Sequence, residues 1–247
     1  MQNTHLKEVP EGSLGEVTLL VGDPGRIPLV TAMWEDVELI TENRELLLYK
    51  GTWRNKPVSI CSTGMGVGST EIAVIELIQS GAKALVRLGG CGAWNEMLEP
   101  GDLVVNYGMA RDSGMLNAYV KDSYPAVANP DLVNKIQRSA VNDGFKVNLA
   151  IGLTTQSYYL GQSRKVKINH GPQATEEMMD YWKERNIVNC EMETAVIYLL
   201  ASLYGVPAAN CLVVHVNRGS ESWVSDEEYA KIHQRASCMV LNALLFD

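Results

Sequence analysis

Two glycine-rich segments of the sequence each carry an arginine beside a short apolar run. Gly22-Asp23-Pro24-Gly25-Arg26 follows one run, and Arg87-Leu88-Gly89-Gly90-Cys91-Gly92 lies at the end of another. Glycines let backbone N–H groups approach an anion, and the arginine fork matches the geometry of phosphate. Arg87 lies inside its apolar run, where a charge must be paired with an anion or a carboxylate. Each segment alone is most simply a turn with a salt bridge, but together they predict a pocket for a small anion such as phosphate.

A third segment, Cys190-Glu191-Met192-Glu193-Thr194-Ala195, places two carboxylates at the start of an apolar helix. Acidic side chains favour helix N-termini, so the pattern has a purely structural interpretation. Its functional interpretation is that one carboxylate points into a pocket and accepts hydrogen bonds from sugar hydroxyls. The residues alone leave both interpretations open.

Several common signatures do not occur in the 247 residues. The sequence has no G-x-x-x-x-G-K-[ST] phosphate loop, no G-x-G-x-x-G dinucleotide fingerprint and no G-x-S-x-G nucleophile elbow. The five cysteines are scattered without a C-x-x-C pair, and the four histidines share no short ligand spacing. Neither a disulfide framework nor a zinc site is indicated.

The charge balance bears on the partners that the protein can have. Lys+Arg is 21 and Asp+Glu is 29, which gives a net charge of −8 with no basic run. This balance argues against a nucleic-acid partner and a membrane-surface partner, but not against a basic pocket for one small anion. The polar N-terminus lacks the apolar core of a secretory signal, and no apolar stretch approaches the ~18–20 residues of a membrane span. We expect a cytoplasmic protein that binds small molecules.

Short runs of Val, Ile and Leu alternate with helical patterns along the chain. The strands and helices that they predict must position the glycine-rich and acidic segments described above. The runs predict strands at Val17–Val21, Val58–Cys61, Ala84–Leu88, Leu103–Val105 and Cys211–Val216. The helical patterns cover Ser69–Ser80, Asp131–Asp143, Thr175–Arg185, Glu193–Tyr204 and Asp226–Leu245. This order favours the α/β class, with a three-layer α/β/α architecture around a central mixed β-sheet. No linker, repeat or low-complexity segment divides the chain, so residues 1–247 are predicted to form a single domain.

Together these segments resemble the nucleoside phosphorylases of the trimer-of-dimers type. The resemblance extends from near the N-terminus to about Val216 and rests on the motifs GDPGR (Gly22–Arg26), CSTGMGVGS (Cys61–Ser69), VRLGGCGA (Val86–Ala93), PGDLVV (Pro100–Val105), YPAVANPDLV (Tyr124–Val133) and CEMETA (Cys190–Ala195). It implies the three-layer fold, inorganic phosphate as co-substrate and no organic cofactor. It also implies a homo-oligomer, a hexamer, with sites shared between subunits.

Two further segments are similar to the uridine-cleaving branch of that family. Tyr158–Arg164 (YYLGQSR) looks like the loop whose Gln and Arg bind the uracil edge, and Val214–Arg218 (VHVNR) looks like that branch's strand end. Purine-cleaving relatives usually carry at that strand end an Asp that acts as general acid, whereas this chain has Asn217-Arg218. The implied reaction is the reversible phosphorolysis of uridine to uracil and ribose 1-phosphate, in nucleoside salvage or catabolism.

The resemblance also assigns roles to individual positions. Those implied to hold phosphate are Gly22, Arg26, Arg87 and Gly90, with Arg44 from the neighbouring subunit. Those implied to bind the nucleoside are Met65, Tyr158, Gln162, Arg164, Glu191, Met192 and Glu193, with His5 across the subunit interface. Those implied to act in catalysis are Arg87, Glu193, Gln162, Arg164 and Arg218. Glu45 and Ser69 match positions that bind a monovalent cation, a structural potassium ion, between paired subunits.

Gly90 departs from the family pattern, which has Ser or Thr at this position with its hydroxyl donating to phosphate. Gly90 offers only its backbone N–H, so adding a hydroxyl by Gly90→Ser or Gly90→Thr is expected to lower the KM for phosphate if the pocket has room. Tyr158, where the family has a Phe, is a milder departure. Three alternatives stay open: a purine nucleoside phosphorylase, a nucleosidase that uses water, and a nucleoside-binding protein that has lost turnover. In the third alternative, Gly90 would be the sign of the lost activity.

Overall fold

Neighbouring residues of the first strand pack into different hydrophobic clusters, so both faces of the sheet are covered. In the computed structural model, which describes residues 3–112 and 114–246, Leu19 and Val21 lie in one cluster and Leu20 in a second. All three side chains are fully buried. Because successive side chains of a strand point to opposite faces, this arrangement places the sheet between two helical layers.

Within the described part of the chain, the sheet contains eleven strands. They are β1 (Val17–Val21), β2 (Glu35–Asn43), β3 (Leu46–Trp53), β4 (Lys56–Ser62), β5 (Leu85–Ala93), β6 (Leu103–Arg111), β7 (Ala126–Val127), β8 (Val147–Thr154), β9 (Ile187–Glu191), β10 (Ala208–Asn217) and β11 (Ser222–Trp223). All five predicted strands are present, and β1 has the predicted bounds.

Six α-helices and three short 3-10 segments connect these strands in the described residues. The helices are α1 (Ile27–Thr31), α2 (Val67–Gln79), α3 (Pro130–Asn142), α4 (Glu176–Lys183), α5 (Thr194–Leu203) and α6 (Asp226–Phe246), and the 3-10 segments are Pro24–Arg26, Gly114–Ala118 and Leu160–Gln162. All five predicted helices are present within about two residues of their predicted bounds. Among the helices of the described residues, none combines the length and the apolar composition that a membrane crossing requires.

Part of the sheet closes on itself. β5 pairs with β10, β10 with β6, β6 with β8, and β8 with β9, which returns to β5. The remaining large strands, β1, β4, β3 and β2, extend from β5 as a mixed sheet. The predicted mixed β-sheet is confirmed, while the closed ring of five strands was not predicted.

The two helical layers differ in the helices they contain. Helices α1, α3 and α6 contribute buried side chains to the cluster that contains Leu19, with α3 packed against α6. Helices α2 and α5 contribute to the cluster that contains Leu20 and pack against each other. The sheet therefore has helices on both faces, as the three-layer prediction requires.

A buried network of amide side chains joins α5 to three strands of the ring. Asn106 of β6 donates from Nδ2 to Asn189 Oδ1 at 2.8 Å, and Asn210 Nδ2 donates to Asn106 Oδ1 at 3.0 Å. From α5, the Tyr198 hydroxyl donates to the Asn106 carbonyl at 2.7 Å. These side chains have almost no exposed surface. The network holds α5 in position relative to β9 and β10. The ends of these two strands carry predicted site residues.

We expect Asn210→Ala to destabilise the fold through this network. The Asn106 backbone N–H now donates to Asn210 Oδ1 at 2.7 Å and would be left buried without an acceptor. A stranded buried donor costs about 1–3 kcal/mol in the free energy of unfolding, measurable by urea titration. Asn134→Ala on the exposed face of α3 is the matched control, expected to change stability by less than ~0.5 kcal/mol. Equal unfolding midpoints for the two variants would contradict the expectation.

Candidate active site

A cavity of about 280 Å³ opens where β1, β9 and β10 end, beside the second half of β5. The carboxyl ends of neighbouring parallel strands are a common place for ligand sites in α/β proteins. The predicted site residues that line this cavity are Gly22, Arg26, Met65, Arg87, Gly90, Tyr158, Gln162, Arg164, Glu191, Met192 and Glu193. Segments that are distant in sequence therefore meet at one place.

Arg87 is the buried centre of the cavity and is paired with two carboxylates. Its Nε donates to Glu191 Oε2 at 3.1 Å, and its Nη2 donates to Glu193 Oε2. The third nitrogen, Nη1, is buried and has no hydrogen-bond partner among the described residues. A guanidinium with one unpartnered donor beside an open cavity is suited to an anionic ligand.

Gly89 makes room for this guanidinium. A Cβ at position 89 would lie 2.9 Å from Arg87 Cζ and 2.9 Å from Leu212 Cδ2, which is closer than packed carbon atoms approach. The glycine run after Arg87 therefore has a steric reason in addition to the exposure of backbone N–H groups.

Glu191 supports the site and has its carboxylate fully engaged by the protein. Oε2 accepts from the backbone N–H groups of Glu193 and Thr194 at 2.8 Å each, as well as from Arg87. Oε1 accepts from the Thr154 hydroxyl. These bonds hold the start of α5 and one edge of Arg87, so the structural interpretation of the acidic pair applies to Glu191.

Glu193 is the second carboxylate, and it adjoins the glycine loop after β4. Its Oε1 accepts from the Gly66 N–H at 2.5 Å, and Gly66 has the positive φ of +83° that glycine adopts without strain. Burial raises the pKa of Glu193, and the attraction of Arg87 opposes that shift. Glu193 lines the cavity wall next to Met192.

A row of aromatic rings separates Arg26 from Arg164. Arg26 Cζ lies 5.4 Å from the centre of the Tyr229 ring, which stacks on His215 at 4.3 Å between ring centres. His215 meets the Trp223 ring at 5.2 Å, and Arg164 Cζ lies 5.9 Å from that ring. The cavity therefore has arginines at both ends: Arg26 and Arg87, the latter paired with two carboxylates, lie at one end, and Arg164 lies at the other.

The segment after β8 forms the end of the cavity that contains Arg164. Gln162 is only 3% exposed, and among the described residues its side chain makes one hydrogen bond, from Arg164 Nε to Oε1 at 3.3 Å. Arg164 Cζ lies 4.2 Å from the centre of the Tyr158 ring, a cation–π distance. Ser163, at a φ of +53°, turns the chain between the two polar side chains. Gln162 and Arg164 thus face the cavity as one coupled pair.

Arg218 acts behind this pair and does not line the cavity wall itself. Its Nη1 donates to the Gln162 carbonyl at 2.9 Å, and its Nε pairs with Glu221 Oε1 at 2.8 Å. Burial and the neighbouring Arg218 lower the pKa of Arg164, which marks a desolvated cationic end. Arg218 therefore contacts the backbone of the segment that carries Gln162 and lies outside the cavity lining.

Four predicted residues lie away from the cavity of their own chain. His5 is held by Glu76, whose carboxylate accepts from the His5 backbone N–H at 3.0 Å, and Arg44 is exposed in the turn between β2 and β3. Glu45 and Ser69 approach each other at Gly64, where an added Cβ would lie 2.5 Å from Ser69 Oγ and 3.1 Å from Glu45 Oε1. The structure brings Glu45 and Ser69 together, and it leaves His5 and Arg44 at the surface of the subunit.

Comparison with known proteins decides the family. A family model described as the phosphorylase superfamily matches residues 16–245. The chain belongs to the phosphorylase superfamily. A uridine phosphorylase from Thermococcus kodakarensis is 32% identical over 93% of this chain and 80% of that protein. A DeoD-type purine nucleoside phosphorylase from Bacillus cereus is 34% identical over 87% of this chain and 88% of that protein.

A solved structure supports the same family at the level of the fold. The crystal structure of a uridine phosphorylase from Vibrio fischeri matches with a TM-score of 0.88 at 27% identity, over 100% of this chain and 98% of that one. The resemblance to nucleoside phosphorylases and the predicted α/β fold are thereby confirmed. Similarity to both uridine-cleaving and purine-cleaving members leaves the choice of base to the residues of the cavity.

Among the cavity residues of this phosphorylase superfamily member that were not predicted from the sequence, three carry aromatic or imidazole rings. Trp223 lies in the short strand β11, Tyr229 lies in α6, and His215 lies in β10 at a β-bulge between Val214 and Val216. The bulge turns His215 towards the cavity, and burial lowers its pKa, which favours the neutral ring. A single polar residue within an apolar strand was the only sequence signal for His215, and Tyr229 carried none beyond its helical spacing.

Proposed function

We propose that this protein catalyses the reversible phosphorolysis of uridine, giving uracil and ribose 1-phosphate. The observation that carries the proposal is the coupled pair Gln162 and Arg164 at one end of a cavity whose other end holds Arg26 and the free donor of Arg87. One end suits the edge of a pyrimidine base and the other an inorganic phosphate. Glu193, at the wall beside Met192, suits the ribose hydroxyls that lie between them.

The proposed reaction is a displacement at the ribose C1′ without a covalent enzyme intermediate. As the glycosidic bond stretches, positive charge develops on the sugar and negative charge on the departing uracil. Arg26 and Arg87 hold phosphate on the face opposite the base, which is an orientation effect. Arg164 and Gln162 face the charge on the base, as the donors of an oxyanion hole do. Glu193 fixes the sugar so that the bonds that form and break lie in line.

Asn217 favours a pyrimidine over a purine. Its Nδ2 donates to the carbonyls of Asn95 and Leu98 at 3.1 and 2.8 Å, and its Oδ1 accepts from the Gly219 N–H at 2.8 Å. An amide that is fully engaged with the backbone has no proton to give to a purine N7. This chain therefore has no general acid for purine cleavage at position 217.

A product assay with and without phosphate tests the proposal. We expect uracil to be released from uridine only when phosphate is present, and cytidine to be left intact. Release without phosphate would establish a nucleosidase, and faster phosphorolysis of inosine would establish a purine enzyme. Binding of uridine without any product would identify a nucleoside-binding protein. Each of the three results would overturn the proposal.

The proposal includes an assembly in the cytoplasm, a homo-oligomer of paired subunits that forms a hexamer. It is supported by the exposed position of Arg44, which leaves its side chain available to a neighbouring cavity, and by the five free cysteines, which suit a reducing compartment. The proposed partner contact of His5 would involve a half-buried ring whose Nδ1 lies 3.3 Å from Glu76 Oε1. Glu45 and Ser69 offer the hard oxygen atoms that a potassium ion prefers, and a second subunit would supply the remaining ligands.

A mixing experiment tests whether sites are shared between subunits. Arg44→Ala and Arg87→Ala chains, each expected to be nearly inactive alone, are co-expressed with different tags and purified together. Each mixed pair then contains one site with both arginines, so random pairing restores up to about a quarter of the parental activity in a two-fold interface. The matched control mixes Arg87→Ala with Arg164→Ala, whose arginines line the same cavity and should give no recovery. Equal activities of the two mixtures would exclude a contribution of Arg44 to a neighbouring site.

A further inference from the structure

The hydroxyl of Tyr229 occupies the space in front of Gly90. A Cβ built at position 90 would overlap the Tyr229 Oη atom and would lie 3.1 Å from Tyr229 Cζ. Position 90 is also where the family resemblance places a Ser or Thr, so a hydroxyl group is present in this space although position 90 does not supply it. The tyrosine belongs to α6, whereas Gly90 belongs to β5.

The Tyr229 ring is held in place from several sides. His215 stacks on one face with an angle of 22° between the rings, and His233 meets the ring edge at 4.4 Å between centres with an angle of 77°. Arg26 lies 5.4 Å from the ring centre. A ring fixed in this way presents its hydroxyl in one direction only, towards Gly90 and the cavity.

That hydroxyl is a buried donor with no partner among the described residues. Buried hydroxyl groups are nearly always hydrogen-bonded in native proteins, to the protein, to water or to a ligand. Arg87 Nη1 has the same status, and both residues line the cavity together with Arg26. Burial raises the pKa of Tyr229, so the phenol keeps its proton at neutral pH and is a donor. Two buried groups without a partner, the Tyr229 hydroxyl and Arg87 Nη1, therefore line one cavity together with the Arg26 guanidinium.

We propose that the Tyr229 hydroxyl donates a hydrogen bond to the bound phosphate, and that Gly90 is present because this hydroxyl needs its space. The inference rests on the proposed use of phosphate by the enzyme. The expectation that a hydroxyl added at position 90 lowers the KM for phosphate depended on room in the pocket, and that condition is not met, because the Tyr229 hydroxyl occupies the space of the added side chain. Gly90 and Tyr229 are therefore one unit, in which a residue of α6 supplies the donor that β5 does not.

The test is a cycle of Tyr229→Phe, Gly90→Ser and the double variant. Tyr229→Phe keeps the ring and removes only the donor, so the KM for phosphate should rise about tenfold to a hundredfold, the effect of one hydrogen bond to a charged group. The KM for uridine should change by less than about threefold. Gly90→Ser alone should also weaken phosphate binding, because it displaces the tyrosine.

The double variant should reverse the effect of the serine. Without Oη, the nearest ring atom to a Cβ at position 90 lies 3.1 Å away, a contact that a small ring shift relieves. The serine hydroxyl then replaces the lost donor, and the KM for phosphate should fall below that of Tyr229→Phe. A merely structural role of Tyr229 predicts the opposite, additive losses and no phosphate-specific change.

Direct titration with inorganic phosphate keeps the inference separate from the substrate. Calorimetric titration of the parent and of Tyr229→Phe measures the Kd for phosphate with no nucleoside present, and a tyrosine difference spectrum of the parent provides a second readout. Tyr124→Phe, which removes a hydroxyl that contacts only Ser202 among the described residues, is the matched control. A Kd unchanged within about twofold in Tyr229→Phe, or a parent spectrum insensitive to phosphate, overturns the inference. If the parent binds phosphate but does not cleave uridine, the proposed function fails while the inference stands.

Discussion

Arg87→Ala should lower kcat/KM for uridine by on the order of 10³, the largest loss expected of any single substitution in this protein. The change removes the unpartnered donor Nη1 and leaves the carboxylates of Glu191 and Glu193 buried without their cation. Arg87→Lys should still lose on the order of 10², because one ammonium cannot replace the three separate directions of the guanidinium. Steady-state kinetics with saturating phosphate and with saturating uridine measure both losses.

The fold must be shown to survive these changes. Breaking a buried ion pair by removing one partner costs about 3–5 kcal/mol in the free energy of unfolding, which urea titration measures. Arg87→Met combined with Glu193→Gln removes an uncompensated charge and should recover part of that stability without recovering activity. Activity that returned with stability would show that Arg87 has only a structural role.

The pH dependence of Arg87→Ala provides an independent check. Arg87 opposes the rise that burial causes in the pKa of Glu193, so removing the arginine raises that pKa further. The carboxyl is then protonated over a wider pH range, and its ionised form returns only as the pH increases. Residual activity of the variant should therefore increase with pH relative to the parent enzyme. A constant ratio of the two rates at all pH values would show that the ionisation of Glu193 is not coupled to Arg87.

The parts of the fold that were predictable are those whose sequence signal is local. Val17–Val21 is uniformly apolar because both faces of β1 are covered, and such a run is readily recognised. β2 was missed because it is largely exposed and carries charged side chains, so it has no buried face whose period the sequence could reveal. β9 was missed because Asn189 interrupts its apolar run, and the buried amide network that justifies that residue is formed by distant strands.

The residues of the candidate site also fall into two groups, those that local sequence motifs identify and those that they do not. Arg26, Arg87 and Gln162 stand in motifs whose neighbours in sequence indicate their chemistry, and the structure brings them to one cavity. Tyr229 has no such neighbours, since it sits in a helix whose apolar pattern explains it as a core residue. Its relation to Gly90 exists only in the folded structure, where the Tyr229 hydroxyl lies in front of Gly90. A cavity side chain that comes from a helix distant in sequence cannot be recognised from the motifs that supply the other cavity residues.

Gln162→Ala and Arg164→Ala should each lower kcat/KM for uridine by about tenfold to a hundredfold, the range for losing a hydrogen bond to a developing charge. Uracil presents acceptor, donor and acceptor groups along O2, N3–H and O4. The Gln162 amide can accept from N3–H while it donates to one carbonyl, and Arg164 can donate to the other. Because Arg164 Nε also donates to Gln162 Oε1 at 3.3 Å, the losses should be less than additive in the double variant.

The same geometry predicts discrimination between uridine and cytidine. Cytosine replaces O4 by an amino donor and N3–H by an acceptor, so both side chains would face groups of the wrong kind. A site whose buried polar groups are left unpaired rejects a ligand far more strongly than a site that lacks one methyl contact. Gln162 is 3% exposed, so water cannot readily satisfy it in place of the base. Cytidine should therefore not be cleaved at a measurable rate.

Gln156→Ala is the matched control, since this glutamine lies in the same segment but is exposed to solvent. It should change kcat/KM by no more than about twofold, as expected for a surface substitution within ~0.5 kcal/mol. Measuring kcat/KM for uridine, cytidine and inosine in the parent and the three variants separates the possibilities. If Gln162→Ala behaves like Gln156→Ala, the pair does not bind the base. If the parent prefers inosine, this end of the cavity accepts a purine and the pyrimidine assignment is wrong.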